Sequence, residues 1–77
     1  MPPASKRRVR KALQDIGADP MNRQGQLDFK RLDSNPGTAI FRVRVGDWRI
    51  AYTIDSDVVV LRIFHRRDGY GWVADLE

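Results

Sequence analysis

The 77-residue sequence predicts an α+β fold: one domain over residues 1–77, with an N-terminal helix packed on a three-stranded antiparallel sheet and a short irregular or helical C-terminal tail. Three observations predict it. Apolar residues recur at helical spacing only near the start, a period of two takes over from Ala39, and a nearly continuous apolar run follows at 58–64.

The helix is expected from Ser5 to about Ile16, where Val9, Ala12, Leu13 and Ile16 fall at i, i+3, i+4 and i+7 on one stripe. Pro2 and Pro3 precede it and Gly17 follows it. Its remaining face carries Lys6, Arg7, Arg8, Arg10 and Lys11, a basic run that is either a solvated face or a polyanion-facing one. Residues 18–38 hold two prolines and two glycines among polar residues, and read as a long connection pinned to the core by Leu27, Phe29 and Leu32.

Strands are expected near 39–46, 48–55 and 58–65. Phe41, Val43 and Val45 alternate with Arg42 and Arg44; after Gly46-Asp47, Trp48, Ile50, Tyr52 and Ile54 alternate with Arg49, Ala51 and Thr53. A two-residue hairpin at Gly46-Asp47, with glycine supplying a positive φ, pairs Val45 with Trp48, Val43 with Ile50 and Phe41 with Tyr52. Slipping the register by one residue would set Trp48 against a polar partner. A turn near Asp55-Ser56-Asp57 leads into VVVLRIF, which suits a central strand covered on both sides.

The hairpin register also sets Arg44 opposite Arg49, with Arg42 two residues along the same face. Like charges across a strand pair destabilise it by up to about 1 kcal/mol. Together with Arg66 and Arg67 beyond the last strand, these side chains would form a cationic surface suited to phosphates, because each guanidinium offers planar paired donors and stays charged. Fourteen Lys and Arg against ten Asp and Glu give a net charge of +4, which points the same way. The chain has no cysteine, hence no disulfide framework and no thiolate nucleophile or metal site. No apolar run approaches the roughly 18 residues of a membrane span, so a soluble, cytoplasmic protein is expected.

These segments resemble a known family. SNPGTAIFRVRVGDWRIAYTID, followed by VVVLRIFHRRDGY, is similar to the RelE/ParE superfamily of bacterial and archaeal toxins, and PPASKRRVRKALQDIGADP resembles that family's second helix. The likeness runs from position 2 to about 72, and its most specific part is the spacing of RVGDWRIAY and HRRDGY. The family's first strand and first helix have no counterpart in this sequence, which implies an uncovered sheet edge or apolar patch.

The RelE branch is the closer one, and its members cut messenger RNA in the ribosomal A site without a metal. The resemblance therefore implies the toxin of a type II toxin-antitoxin system, an endoribonuclease whose partners are a cognate antitoxin, A-site mRNA and ribosomal RNA, with no cofactor. A ParE-like inhibitor of DNA gyrase and a catalytically silent basic module are the alternatives. Residue by residue, Arg42 and Arg44 match the two basic positions before the hairpin turn. Arg49 matches the arginine that grips the scissile phosphate, and Arg67 the one that stabilises the leaving 5′-oxygen. Tyr70 falls near a tyrosine that stacks on a base. Arginine at 42 and 44 cannot take up a proton, which leaves Tyr70, His65 or water as the base. Arg66 extends the RNA-facing charge, and Trp72 is placed to stack on a base or to pack on the sheet.

Overall fold

The computed structural model describes residues 1–32 and 39–68. Helix α1, Pro3–Ala18, is two residues longer at each end than the expected span from Ser5 to Ile16. Proline fits the first helical position, whose N–H has no partner within a helix, and Lys6 N–H donates to Pro2 O at 3.0 Å. Gly17 lies inside the helix rather than ending it. The stop comes at Asp19, because the residue before a proline is pushed out of the helical region; Asp19 sits at φ −147°, ψ 74°. Its carboxylate then accepts the Arg23 and Gln24 N–H groups at 3.0 Å each, bonds that hold its pKa below the ordinary value.

The sheet has four strands rather than the expected three: β1 Asp28–Arg31, β2 Phe41–Val45, β3 Trp48–Asp55 and β4 Asp57–His65, in the order β1-β2-β3-β4, every pair antiparallel. The additional strand, β1, comes from the stretch read as a connection. Asn22, at φ 49°, accepts the Leu27 N–H on its side-chain oxygen and donates its amide to Leu27 O, closing a loop that delivers the chain to the sheet edge. The hairpin register is as expected, Val45↔Trp48, Val43↔Ile50 and Phe41↔Tyr52. Gly46 takes φ +60° at the turn. Strand β4 is not central. It is an edge, with Val59 and Val60 each more than 40% exposed.

Val9, Ala12 and Ile16 of α1 pack on Phe41, Val43, Ile50 and Tyr52, with Leu13 and Trp48 partly buried against this core. The Tyr52 hydroxyl, on a fully buried side chain, donates to Pro20 O at 2.6 Å and ties the helix exit to the sheet. Ala51 and Phe64 are buried on the opposite face. The tail begins as a 3-10 turn over Arg66–Asp68.

Candidate functional site

Alternation along β2 and β3 brings Arg42, Arg44 and Arg49 to the sheet face away from α1, with Arg44 directly across from Arg49. The expected repulsion is met by a residue on β1. Asp28 pairs with Arg44 in register, and its carboxylate accepts Arg44 Nε at 2.6 Å and Nη2 at 2.5 Å while lying 3.4 Å from Arg42 Nη1. The hydrogen bond from Arg44 is the main reason that Asp28 titrates below the ordinary carboxylate range. Arg42 is 8% exposed, so its guanidinium is a structural charge held by Asp28. Arg49 folds back on the turn instead, its Nη1 donating to Gly46 O at 2.9 Å and Trp48 O at 3.1 Å.

A second constellation stands at the end of β4. His65 pairs with Trp48, the rings meeting edge to face with centroids 5.2 Å apart. Its Nδ1 accepts two bonds from Arg67, from the backbone N–H at 3.2 Å and from Nε at 3.3 Å, which places the proton of a neutral ring on Nε2. Asp68 Oδ2 accepts the His65 N–H at 3.3 Å. Arg66 is drawn aside: its N–H donates to Asp47 O at 2.8 Å and its Nε lies 3.5 Å from the Asp47 carboxylate.

Between these groups and the start of α1 lies an open cleft of about 650 Å³, walled by Arg8, Gly46, Trp48, His65 and Arg67, with the N-terminal residues at its rim. Arg8 reaches it from the helix. Its Nη1 lies 3.0 Å from where a β-carbon on Gly46 would be, so the guanidinium rests against the bare turn. His65 and Arg67 are thus together, whereas Arg42, Arg44, Arg49 and Arg66 do not line the cleft. Arg49 adjoins it, because the Gly46 and Trp48 carbonyls it holds belong to residues that do. Tyr70 and Trp72 lie outside the described residues.

The structure adds two participants that the sequence did not single out. Asp28 was hidden in a segment whose glycines and prolines masked the alternation of Leu27, Asp28, Phe29 and Lys30. Arg8 was one of five basic residues on the helix, and only the close approach of α1 to the turn distinguishes it. Among the described residues no group of three or more His, Asp or Glu is placed to hold a metal ion. The arrangement can bind an oxyanion: among the described residues neither Arg8 nor Arg67 has a carboxylate partner.

In sequence and fold the chain is similar to known toxins. The family model described as the ParE toxin of the type II toxin-antitoxin system, parDE, matches residues 3–70. The candidate toxin RelE1 of Methanocaldococcus jannaschii is 25% identical over 71 residues, 90% of this chain and 76% of its own. The crystal structure of the archaeal RelE-RelB complex from Pyrococcus horikoshii OT3 superposes with a TM-score of 0.69, covering 86% of this chain and 77% of that one. At 23% identity this is a likeness of fold.

Proposed function

The chain belongs to the ParE toxin family of type II toxin-antitoxin systems, and from that premise we propose that it is a toxin of the RelE kind, a cytoplasmic endoribonuclease that cuts mRNA in the ribosomal A site. The observation that carries the reading is Arg67, whose guanidinium is oriented by His65 Nδ1 on the wall of a cleft large enough for a nucleotide. In the reaction the ribose 2′-oxygen attacks the adjacent phosphorus, the bond to the 5′-oxygen breaks, and a 2′,3′-cyclic phosphate and a free 5′-hydroxyl result. The phosphorane gains negative charge, which fixed guanidinium groups stabilise more than they stabilise the ground state. Arg67 donates a hydrogen bond to the leaving 5′-oxygen, which takes its proton from water, and Arg49 donates one to a phosphate oxygen, while His65 orients Arg67. With the Nδ1 lone pair engaged, removal of the 2′-proton falls to Tyr70 or to water.

The test is single-turnover cleavage of mRNA on programmed ribosomes, with cuts mapped to A-site codons. Arg67→Ala and Arg49→Ala should each slow the step by about 10²–10³-fold, as loss of one such donor does elsewhere. Equal rates for wild type and both variants would sink the reading. The family description favours a second reading, a ParE-like gyrase inhibitor that acts by protein contact. It requires intact message, and inhibition of supercoiling that is indifferent to Arg67→Ala.

The RelE-RelB complex supports a cognate antitoxin as partner. An acidic or amphipathic segment along the exposed edge of β4 would cover Val59, Val60 and Ile63 and offset the net charge of +4. Co-purification with the product of the adjacent small gene tests it, and a chain that stays free in its presence would refute it.

A further inference from the structure

We infer that Arg8 and Arg67 form a clamp that holds a phosphate of a single RNA strand in the cleft, and that the absence of a side chain at Gly46 is what admits Arg8 to it. The inference rests on the RNA reading above and names the groove by which the strand enters. Three observations carry it. First, Arg8 is set apart from its neighbours on the helix: its guanidinium lies across the turn, with Nη1 at 3.0 Å from the position of a Gly46 β-carbon, and it lines the cleft, whereas Arg7 and Arg10 do not. Second, its charge is uncommitted, since among the described residues no carboxylate pairs with Arg8, while Arg42 and Arg44 share Asp28 and Arg66 lies beside Asp47. Third, Arg8 walls two adjoining hollows. One is the cleft with His65 and Arg67; the other, of about 240 Å³, is lined by Lys11, Asp28 and Arg44 among others. A strand leaving the cleft past Arg8 would therefore run toward Lys11.

Two carboxylates also wall the cleft and would oppose an anion, but both have partners: Asp47 faces Arg66 at 3.5 Å, and Asp68 accepts the His65 N–H. Trp48 supplies an apolar wall beside the clamp, so a nucleotide rather than a bare ion matches the cleft in size and polarity. Arginine suits the position because its planar fork can hold two phosphate oxygens, where lysine offers a point charge.

The probe is a short 2′-O-methyl RNA oligonucleotide, which can bind but lacks the attacking hydroxyl. It is titrated into the full chain at several salt concentrations, with tryptophan fluorescence as the readout. Arg8→Ala should weaken binding about tenfold, as expected for one charge-assisted hydrogen bond, and reduce the log–log salt slope by about 0.7. Arg10→Ala removes the same charge from the same helix away from the cleft, and should have a clearly smaller effect on both. Circular dichroism of each variant establishes that it is folded. Equal losses for Arg8→Ala and Arg10→Ala, or no binding by the wild type, would overturn the clamp. If the Arg8-specific loss is found but programmed ribosomes yield no cut message, the clamp stands and the nuclease reading falls. If message is cut and Arg8→Ala binds like wild type, the reverse holds.

Discussion

His65 accepts from Arg67 through one nitrogen twice, which fixes both the turn that follows β4 and the direction of a guanidinium. A residue acting in this way affects rate through geometry. His65→Ala should slow cleavage about tenfold, the worth of one orienting hydrogen bond, yet leave the shape of the pH–rate profile intact. Disappearance of the profile's acidic limb in that variant would instead make His65 the base. Tyr52 is a second single residue with a measurable signature. Its burial, assisted by the charge of Asp19, pushes its pKa up to about 12. A phenol with a raised pKa stabilises the fold fully below the unfolded value near 10, and that contribution is lost as pH rises from about 10 through 12. Urea midpoints at pH 9 and pH 12 should diverge in the wild type, and Tyr52→Phe should narrow the gap while costing about 1 kcal/mol at neutral pH through loss of the bond to Pro20. A gap that Tyr52→Phe leaves unchanged would assign the alkaline loss to other groups.

At the scale of elements, the hairpin was legible because two strands had to agree on one apolar face, and a tight turn left one register that satisfied both. Strand β1 was not. Four residues supply too short an alternation to outweigh the glycines and prolines around them, and the case for a strand lies in its pairing with β2. With β1 goes Asp28, the element's electrostatic tie to the sheet. A carboxylate whose folded pKa is depressed stabilises above its unfolded value, near 3.9, and loses that contribution as pH falls below it. Asp28→Asn should therefore lower the urea midpoint at pH 7 and shrink the drop between pH 7 and pH 3, with the amides of β1 exchanging faster. The cost of Asp28→Asn should be smaller in an Arg44→Ala background, because the two groups are in contact; strict additivity would show that the pair contributes nothing. The turn carries a separate prediction. Gly46 holds φ +60°, so Gly46→Ala should destabilise by about 1–2 kcal/mol and also weaken oligonucleotide binding by crowding Arg8. Unchanged binding in that variant would separate the turn from the clamp.

Across the whole molecule, β4 stands at the edge of the sheet and not at its centre, where its composition would put it. A run such as VVVLRIF looks alike whether it is covered on two faces or stands at an edge, because periodicity reports neither neighbours nor order in the sheet. The edge is partly guarded by an irregularity in its pairing opposite Ala51/Tyr52, which disturbs the ladder another strand would extend. Val59→Lys should abolish concentration-dependent self-association of the purified chain, measured by light scattering, with little change in melting temperature. A wild type that stays monomeric at every concentration would refute that. The cleft has a different lesson. Its walls come from Met1 to Arg8 at one end of the described chain and from His65 to Asp68 at the other, joined over the Gly46-Asp47 turn. During synthesis the early wall leaves the ribosome long before the late one, so a nascent chain carries half a cleft, and whatever the cleft binds must wait for His65 to Asp68 to emerge.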